Sequence, residues 1–245
     1  MAIPYPTDPF QPFSRIPPGL RPLLVAHRGG NGRRALRRAL AAGVDWLEAD
    51  VWWQAGRVVA RHDPTLWRLP LTYSRYRIGL APIPALTLEH LLDAVAGRNV
   101  RLLLDLKGEA PELPRAIVAV LARRDAFAQA ALCGQEWGPL DSARALDPRV
   151  QVFFSLGQER HISAYLARLA DGSAPRAASV NHHLLTPPQV AALKERGVTL
   201  IAWTVNDPAR ARALLAWGVD GITSDSLRLL RSLRAVSPLI GQDSR

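Results

Sequence analysis

The sequence predicts an α/β fold of the (β/α)8 TIM-barrel class, built as a single domain over residues 1–245. Eight apolar, strand-like runs alternate with amphipathic Ala/Leu/Arg-rich segments, the pattern of parallel strands joined by crossover helices. Charged and imidazole-bearing residues recur at the C-terminal ends of those runs, where barrels of this kind carry their active sites. At 48% hydrophobic the chain can bury a large core, and barrel closure is the simplest arrangement at 245 residues; a doubly wound open sheet is the structural alternative.

In chain order, residues 1–20 read as a Pro-rich arm lacking the charged n-region and apolar h-region of a secretory signal. Strands are predicted near 23–28, 45–53, 101–106, 129–134, 150–156, 177–182, 199–205 and 220–224, each a short apolar run. Helices are predicted over 33–42, 86–96, 112–124, 159–170, 187–196 and 207–216, where apolar residues recur on one face. Residues 57–63 extend the second unit as a hairpin-like return, with Gln54-Ala55-Gly56 as its turn. Residues 64–85, with Trp67, Tyr73, Tyr76 and several prolines, read as an irregular loop over the site, either a substrate lid or surface-binding element or a segment packed on a neighbouring helix. Residues 237–245 read as a polar tail.

The run Leu24–Pro64 places His27-Arg28, Glu48-x-Asp50 and His62-Asp63 close together in sequence. Side chains alternate along a strand, so Val25 and His27 share a face, and Glu48 and Asp50 converge with Ala49 turned away. Carboxylates in a barrel interior are costly without a cation or a basic partner. Oxygen ligands suit a hard divalent ion, Mg²⁺ or Ca²⁺. In Arg101–Lys107, Leu103, Asp105 and Lys107 share a face, so Asp105 can complete a metal shell and Lys107 can meet a phosphate oxygen. The set suits phosphate-ester chemistry: two proton carriers in His27 and His62, a permanent cation in Arg28, and a carboxylate cluster.

These motifs, HRGG, LEADV, VVARHDP, LDLK and the late IAWTVNDPARARALLAWGVDGITSD, resemble the glycerophosphodiester phosphodiesterase family, and share part of their pattern with the sphingomyelinase D proteins. The resemblance spans roughly residues 23–230. It implies a barrel of the phospholipase C-like phosphodiesterase type that cleaves a phosphodiester with metal help, the substrate's own neighbouring hydroxyl attacking before water opens a cyclic phosphate. Glycerophosphodiesters would yield glycerol-3-phosphate and an alcohol. The sphingomyelinase D likeness offers a lysophospholipase D or sphingomyelinase D-like lipid phosphodiesterase as the alternative. A barrel that binds a phosphorylated ligand without turnover is a third reading, against which the two histidines argue. Family members usually carry Glu-Asn-Thr soon after HRG, whose Glu can ligate the metal; here Gly30-Asn31-Gly32-Arg33 occupies a shortened loop. Asp105 stands where the family usually has Glu, a variation like that of the sphingomyelinase D proteins.

Other candidates have plainer readings beside the functional ones. Glu48 and Asp50 could pair with Arg28 and Lys107 without metal. Trp203 faces inward by alternation, either as part of the substrate pocket or as barrel packing, and His183, after the run ASVNHH, is a second pocket candidate. His90 and His161 fall in helical stretches and read as surface residues, and Cys133 reads as core.

One cysteine excludes an intramolecular disulfide and fits a reducing, cytoplasmic compartment. No apolar run approaches the roughly 20 residues of a membrane-spanning helix, leaving peripheral membrane contact open. The net charge of +10 could draw anionic substrates, membrane surfaces or nucleic acid. The cations are nearly all Arg, scattered over helices, which favours general arginine usage; no basic run is interleaved with aromatics as a nucleic-acid groove requires. Only Lys107 and Lys194 are lysines, so a compact ammonium at Lys107 stands out in an arginine-preferring chain. The expected partner is a small-molecule or lysolipid phosphodiester.

Overall fold

A computed structural model describes residues 21–62, 71–74, 77–80 and 85–235. The arm 1–20, Asp63, most of the segment 64–85 and the tail 237–245 lie outside the described residues.

The chain opens with β1 (Leu23–Ala26), α1 (Arg33–Ala42) and the long β2 (Trp46–Gln54), which folds back into β3 (Arg57–Ala60). Ala55 and Gly56, both at positive φ (48° and 78°), make the two-residue turn between them, the conformation a tight hairpin selects. Next come β4 (Leu71–Ser74) and β5 (Arg77–Leu80), an antiparallel pair of their own, and β6 (Leu86–Thr87), paired to β3. The segment expected to be an irregular loop thus contains a hairpin, from two four-residue runs whose β-forming residues the surrounding prolines obscure.

The remaining chain repeats helix and strand: α2 (Leu88–Val95), β7 (Arg101–Leu106), α3 (Glu112–Arg123), β8 (Ala130–Gly134), α4 (Trp137–Leu146), β9 (Gln151–Leu156), α5 (Glu159–Ala170), β10 (Ala177–Asn181), α6 (Pro187–Glu195), β11 (Thr199–Trp203), α7 (Pro208–Ala216), β12 (Gly221–Ser224) and α8 (Leu227–Ala235). Parallel pairing runs β1-β12-β11-β10-β9-β8-β7-β2, and β1 also pairs with β2, closing an eight-stranded parallel barrel. This is the (β/α)8 architecture expected, rather than the open sheet. Helices α4 and α8 add to the six predicted segments. Gly138-Pro139 disguises the start of α4, although proline is tolerated in a first helical turn.

Alternation along the strands sorts side chains into two layers. Leu24, Leu47, Ala49, Leu102 and Leu104 face outward into the main core beneath the helices. Val25, Trp46, Leu103, Ala131, Cys133, Phe153, Ala177 and Ile201 face inward and plug the barrel. Above this plug the inward rows turn polar, with Glu48, Asp50, Asp105, Ser155, Ser179 and Thr223 bordering one cavity. The change of polarity along each strand puts the site at the C-terminal rim.

Candidate active site

His27 and Arg28 leave the barrel at the end of β1 in a tight connection. Arg28 takes φ 54°, a left-handed conformation that costs a non-glycine residue roughly 1 kcal/mol, and its backbone N–H donates to Glu48 Oε2. Gly30 N–H then donates to the Glu48 carbonyl at 2.9 Å. A Cβ on Gly30 would lie 2.6 Å from that of Ala49, so glycine is needed for this close approach. Asn31 next clamps the neighbouring carboxylate residue: its Nδ2 donates to Asp50 Oδ2 at 2.7 Å and its Oδ1 accepts from Asp50 N at 2.9 Å. The shortened loop therefore holds the β2 carboxylates by hydrogen bonds.

β2 and β7 pair with Asp50 opposite Asp105, which sets both side chains on the inner face. One oxygen from each of Glu48, Asp50 and Asp105 lies within 4.8 Å of the others. Lys107 Nζ donates to Asp105 Oδ2 at 2.5 Å and sits 3.1 Å from Asp50 Oδ1. Burial alone would lower the Lys107 pKa, but Asp105 and Asp50 outweigh it and hold the ammonium charged. Glu48 is pushed well above the usual carboxylate range by burial and then by repulsion from Asp50 and Asp105, against the pull of the Arg28 N–H and Lys107. Burial likewise raises Asp105 despite Lys107.

Three carboxylates facing one ammonium leave the cluster short of positive charge. Glu48 Oε1 and Asp105 Oδ1 take no hydrogen bond among the described residues. The spacing, the oxygen-only donors and the unmet charge all fit a hard divalent ion.

Across the cavity His27 Nδ1 lies 2.7 Å from Asp225 Oδ1. Asp225 is braced in turn, its Oδ2 accepting from Asn206 Nδ2 at 2.9 Å while its N–H donates to Asn206 Oδ1 at 3.0 Å. Burial works to raise the Asp225 pKa, but the bonds from Asn206 and His27 and the nearby Arg28 charge bring it below the usual range. A carboxylate only accepts, so the His27 proton sits on Nδ1 and Nε2 is the nitrogen left to exchange protons with a ligand. The sequence signal for Asn206 and Asp225 lay in WTVND and GITSD, whose role only the fold reveals.

His62 is exposed and reaches the same cavity at the end of the β2–β3 return. Trp52 Nε1 donates to the Arg61 carbonyl at 3.0 Å and pins this return. Arg28 and Trp203 also border the cavity, whose volume is about 280 Å³. His183 does not: it lies exposed on the turn after β10, packed against His182 with ring centres 3.9 Å apart and planes tilted by 36°. Cys133 lies 3% exposed below the carboxylates. Burial, then Asp105 and Glu48, raise its thiol well above the usual range, which keeps it neutral and unreactive. His90 caps α2, its Nδ1 accepting from Thr87 N–H, and half-buried His161 accepts from Gly157 N–H.

Residues 128–229 match the glycerophosphoryl diester phosphodiesterase family. That stretch contributes Trp203, Asn206 and Asp225, and the Asp225–His27 contact ties it to the site built by the first half of the chain. A glycerophosphodiester phosphodiesterase from Parabacteroides distasonis has the same fold, with TM-score 0.71 at 22% identity, covering 89% of this chain and 100% of its own. A phosphodiesterase from Oleispira antarctica, solved with the product sn-glycerol-3-phosphate, gives TM-score 0.70 at 22% identity and covers 88% and 97%. No curated protein matches the chain.

Proposed function

We propose that the protein is a metal-dependent phosphodiesterase that hydrolyses glycerophosphodiesters to sn-glycerol-3-phosphate and an alcohol. The observation that carries this reading is the facing arrangement of His27, held by Asp225, and the Glu48/Asp50/Asp105 cluster across a cavity that His62 and Arg28 also border. The family match over residues 128–229 and the product named for the Oleispira antarctica enzyme support glycerophosphodiesters as the substrate class.

Glu48, Asp50 and Asp105 would hold Mg²⁺ or Ca²⁺, which supplies charge neutralisation at a phosphate oxygen. Arg28 and Lys107 take the remaining phosphate oxygens, Arg28 as a two-pronged donor and Lys107 as a point charge held in place by Asp50 and Asp105. His27 Nε2 and His62 sit on the same cavity, one accepting the proton of the attacking hydroxyl and the other protonating the leaving alcohol. Asp225 keeps His27 in the right tautomer through both transfers. Trp203 borders the non-phosphate part of the ligand, whereas His183 has no such place.

The test is ³¹P NMR of glycerophosphocholine incubated with enzyme and Mg²⁺ or Ca²⁺. The glycerol-3-phosphate resonance should grow with loss of the diester. Release of phosphocholine, or no turnover of this diester while a lysophospholipid is cleaved, would overturn the substrate assignment.

A further inference from the structure

We propose that α1 and α8 form a docking surface for an anionic lipid bilayer. Arg33, Arg34, Arg37 and Arg38 all lie on the exposed face of α1, while Leu36 and Ala39 are buried beneath them. α8 packs beside α1 and adds exposed Arg228 and Arg231. Neither helix, nor the connection from Gly29 to Gly32, contains an acidic residue.

Among the described residues none of these six guanidinium groups makes a hydrogen bond or ion pair. Some arginines elsewhere are ion-paired, Arg124 with Asp93 at 2.5 Å, Arg168 with Asp141 at 2.9 Å and Arg149 with Asp147 at 2.8 Å. Exposed Arg57, Arg98, Arg115, Arg160, Arg176 and Arg212 make no ion pair among the described residues, but each stands on a different element or connection. Unpaired guanidiniums thus occur along the described chain, but on the adjacent helices α1 and α8 six of them gather together.

The placement works against the fold. Arg33 with Arg37, and Arg34 with Arg38, put like charges at i and i+4, and cations in a first helical turn oppose the helix dipole. No partner within the described chain offsets either effect. An external anionic surface does.

Guanidinium forks match phosphate oxygens, and neither helix offers an aromatic side chain on which bases would stack, which favours phospholipid over nucleic acid. Both helices start from the rim where β1 and β12 end, the rim that also carries exposed Arg28 and the cavity. A bilayer held there places the mouth beside lipid-derived phosphodiesters. The choice of lipid over other polyanions rests on the activity proposed above; the unmatched charge does not.

The test is co-sedimentation of the full chain with phosphatidylcholine vesicles containing or lacking phosphatidylglycerol. Wild type should bind only the anionic vesicles, less as salt is raised. Arg34→Gln/Arg37→Gln/Arg38→Gln should lower that partitioning about 100-fold, since each basic residue near the surface contributes roughly fivefold. Arg123→Gln/Arg124→Gln, which removes guanidiniums paired on α3 and its C-terminal cap, should retain nearly all of it. Both variants should match wild type in circular dichroism and in turnover of soluble glycerophosphocholine. Loss of that turnover in the wild type refutes the activity while vesicle binding still decides the docking surface. Indifference of the wild type to phosphatidylglycerol, equal losses in the two variants, or tighter binding to duplex DNA than to anionic vesicles overturns the proposal.

Discussion

His27 and Asp225 stand 198 residues apart in sequence and 2.7 Å apart in space. Their contact fixes which imidazole nitrogen does chemistry, so Asp225→Asn should lower kcat by about 10²–10⁴ while changing KM little, as for other histidines that lose a carboxylate orienter. A proportionate rise in KM with unchanged kcat would place Asp225 in substrate binding instead. Asn31 shows the same logic at the metal cluster. Its paired bonds to Asp50 orient a ligand, so Asn31→Ala should weaken divalent-ion affinity about 10–100-fold, measured by calorimetric titration, with kcat largely recovered at saturating ion. The candidate residues from His27 to Lys107 are legible because they fall at the ends of short apolar runs, Glu48/Asp50 and Asp105/Lys107 as pairs two positions apart on one strand face and His27-Arg28 as an adjacent pair. Asp225 and Asn31 are not, because neither lies on such a pair and each finds its partner only through the closed barrel. His183 shows the reverse failure: strand alternation carried past the end of β10 points it inward, whereas the chain has already turned into a helical bend.

At the scale of elements, the connection between β1 and α1 transmits backbone geometry into the carboxylate cluster. Gly30 lies against Ala49, on the face of β2 opposite Glu48 and Asp50. Gly30→Ala must part this loop from the strand, and overpacking of that kind costs about 1–3 kcal/mol. Differential scanning calorimetry should show a lower midpoint together with weaker divalent-ion binding, since Arg28 N and Asn31 move with the loop. An unchanged midpoint would show that the loop yields without disturbing β2. The strand and helix repeat itself was readable from periodicity, because each barrel strand is a short apolar run and most helices have one greasy face. The hairpin of β4 and β5 escaped because prolines flank runs of only four residues. α4 escaped because its apolar face is interrupted by Gly138-Pro139.

For the molecule as a whole, the site sets a pH dependence. Glu48 has a folded pKa raised above its unfolded value, so the metal-free folded state keeps a proton that the unfolded chain releases above about pH 4.3. Stability of the metal-free protein therefore falls as pH rises from there through the raised Glu48 value. A divalent ion held by the deprotonated carboxylates, as proposed above, would reverse that loss. The rise in thermal midpoint on replacing EDTA with Mg²⁺ or Ca²⁺ should be larger near pH 8 than near pH 5.5; an equal or larger rise in acid would contradict it. The same barrel that concentrates negative charge inside its rim leaves positive charge on α1 and α8, so substrate chemistry and surface attachment are separate features of one face. The most direct measurement of the proposed metal-dependent hydrolysis is glycerophosphocholine turnover by wild type and His27→Ala, each with divalent ion and with EDTA. Turnover is expected only for wild type with metal, and turnover indifferent to both the chelator and the substitution would contradict the proposed mechanism.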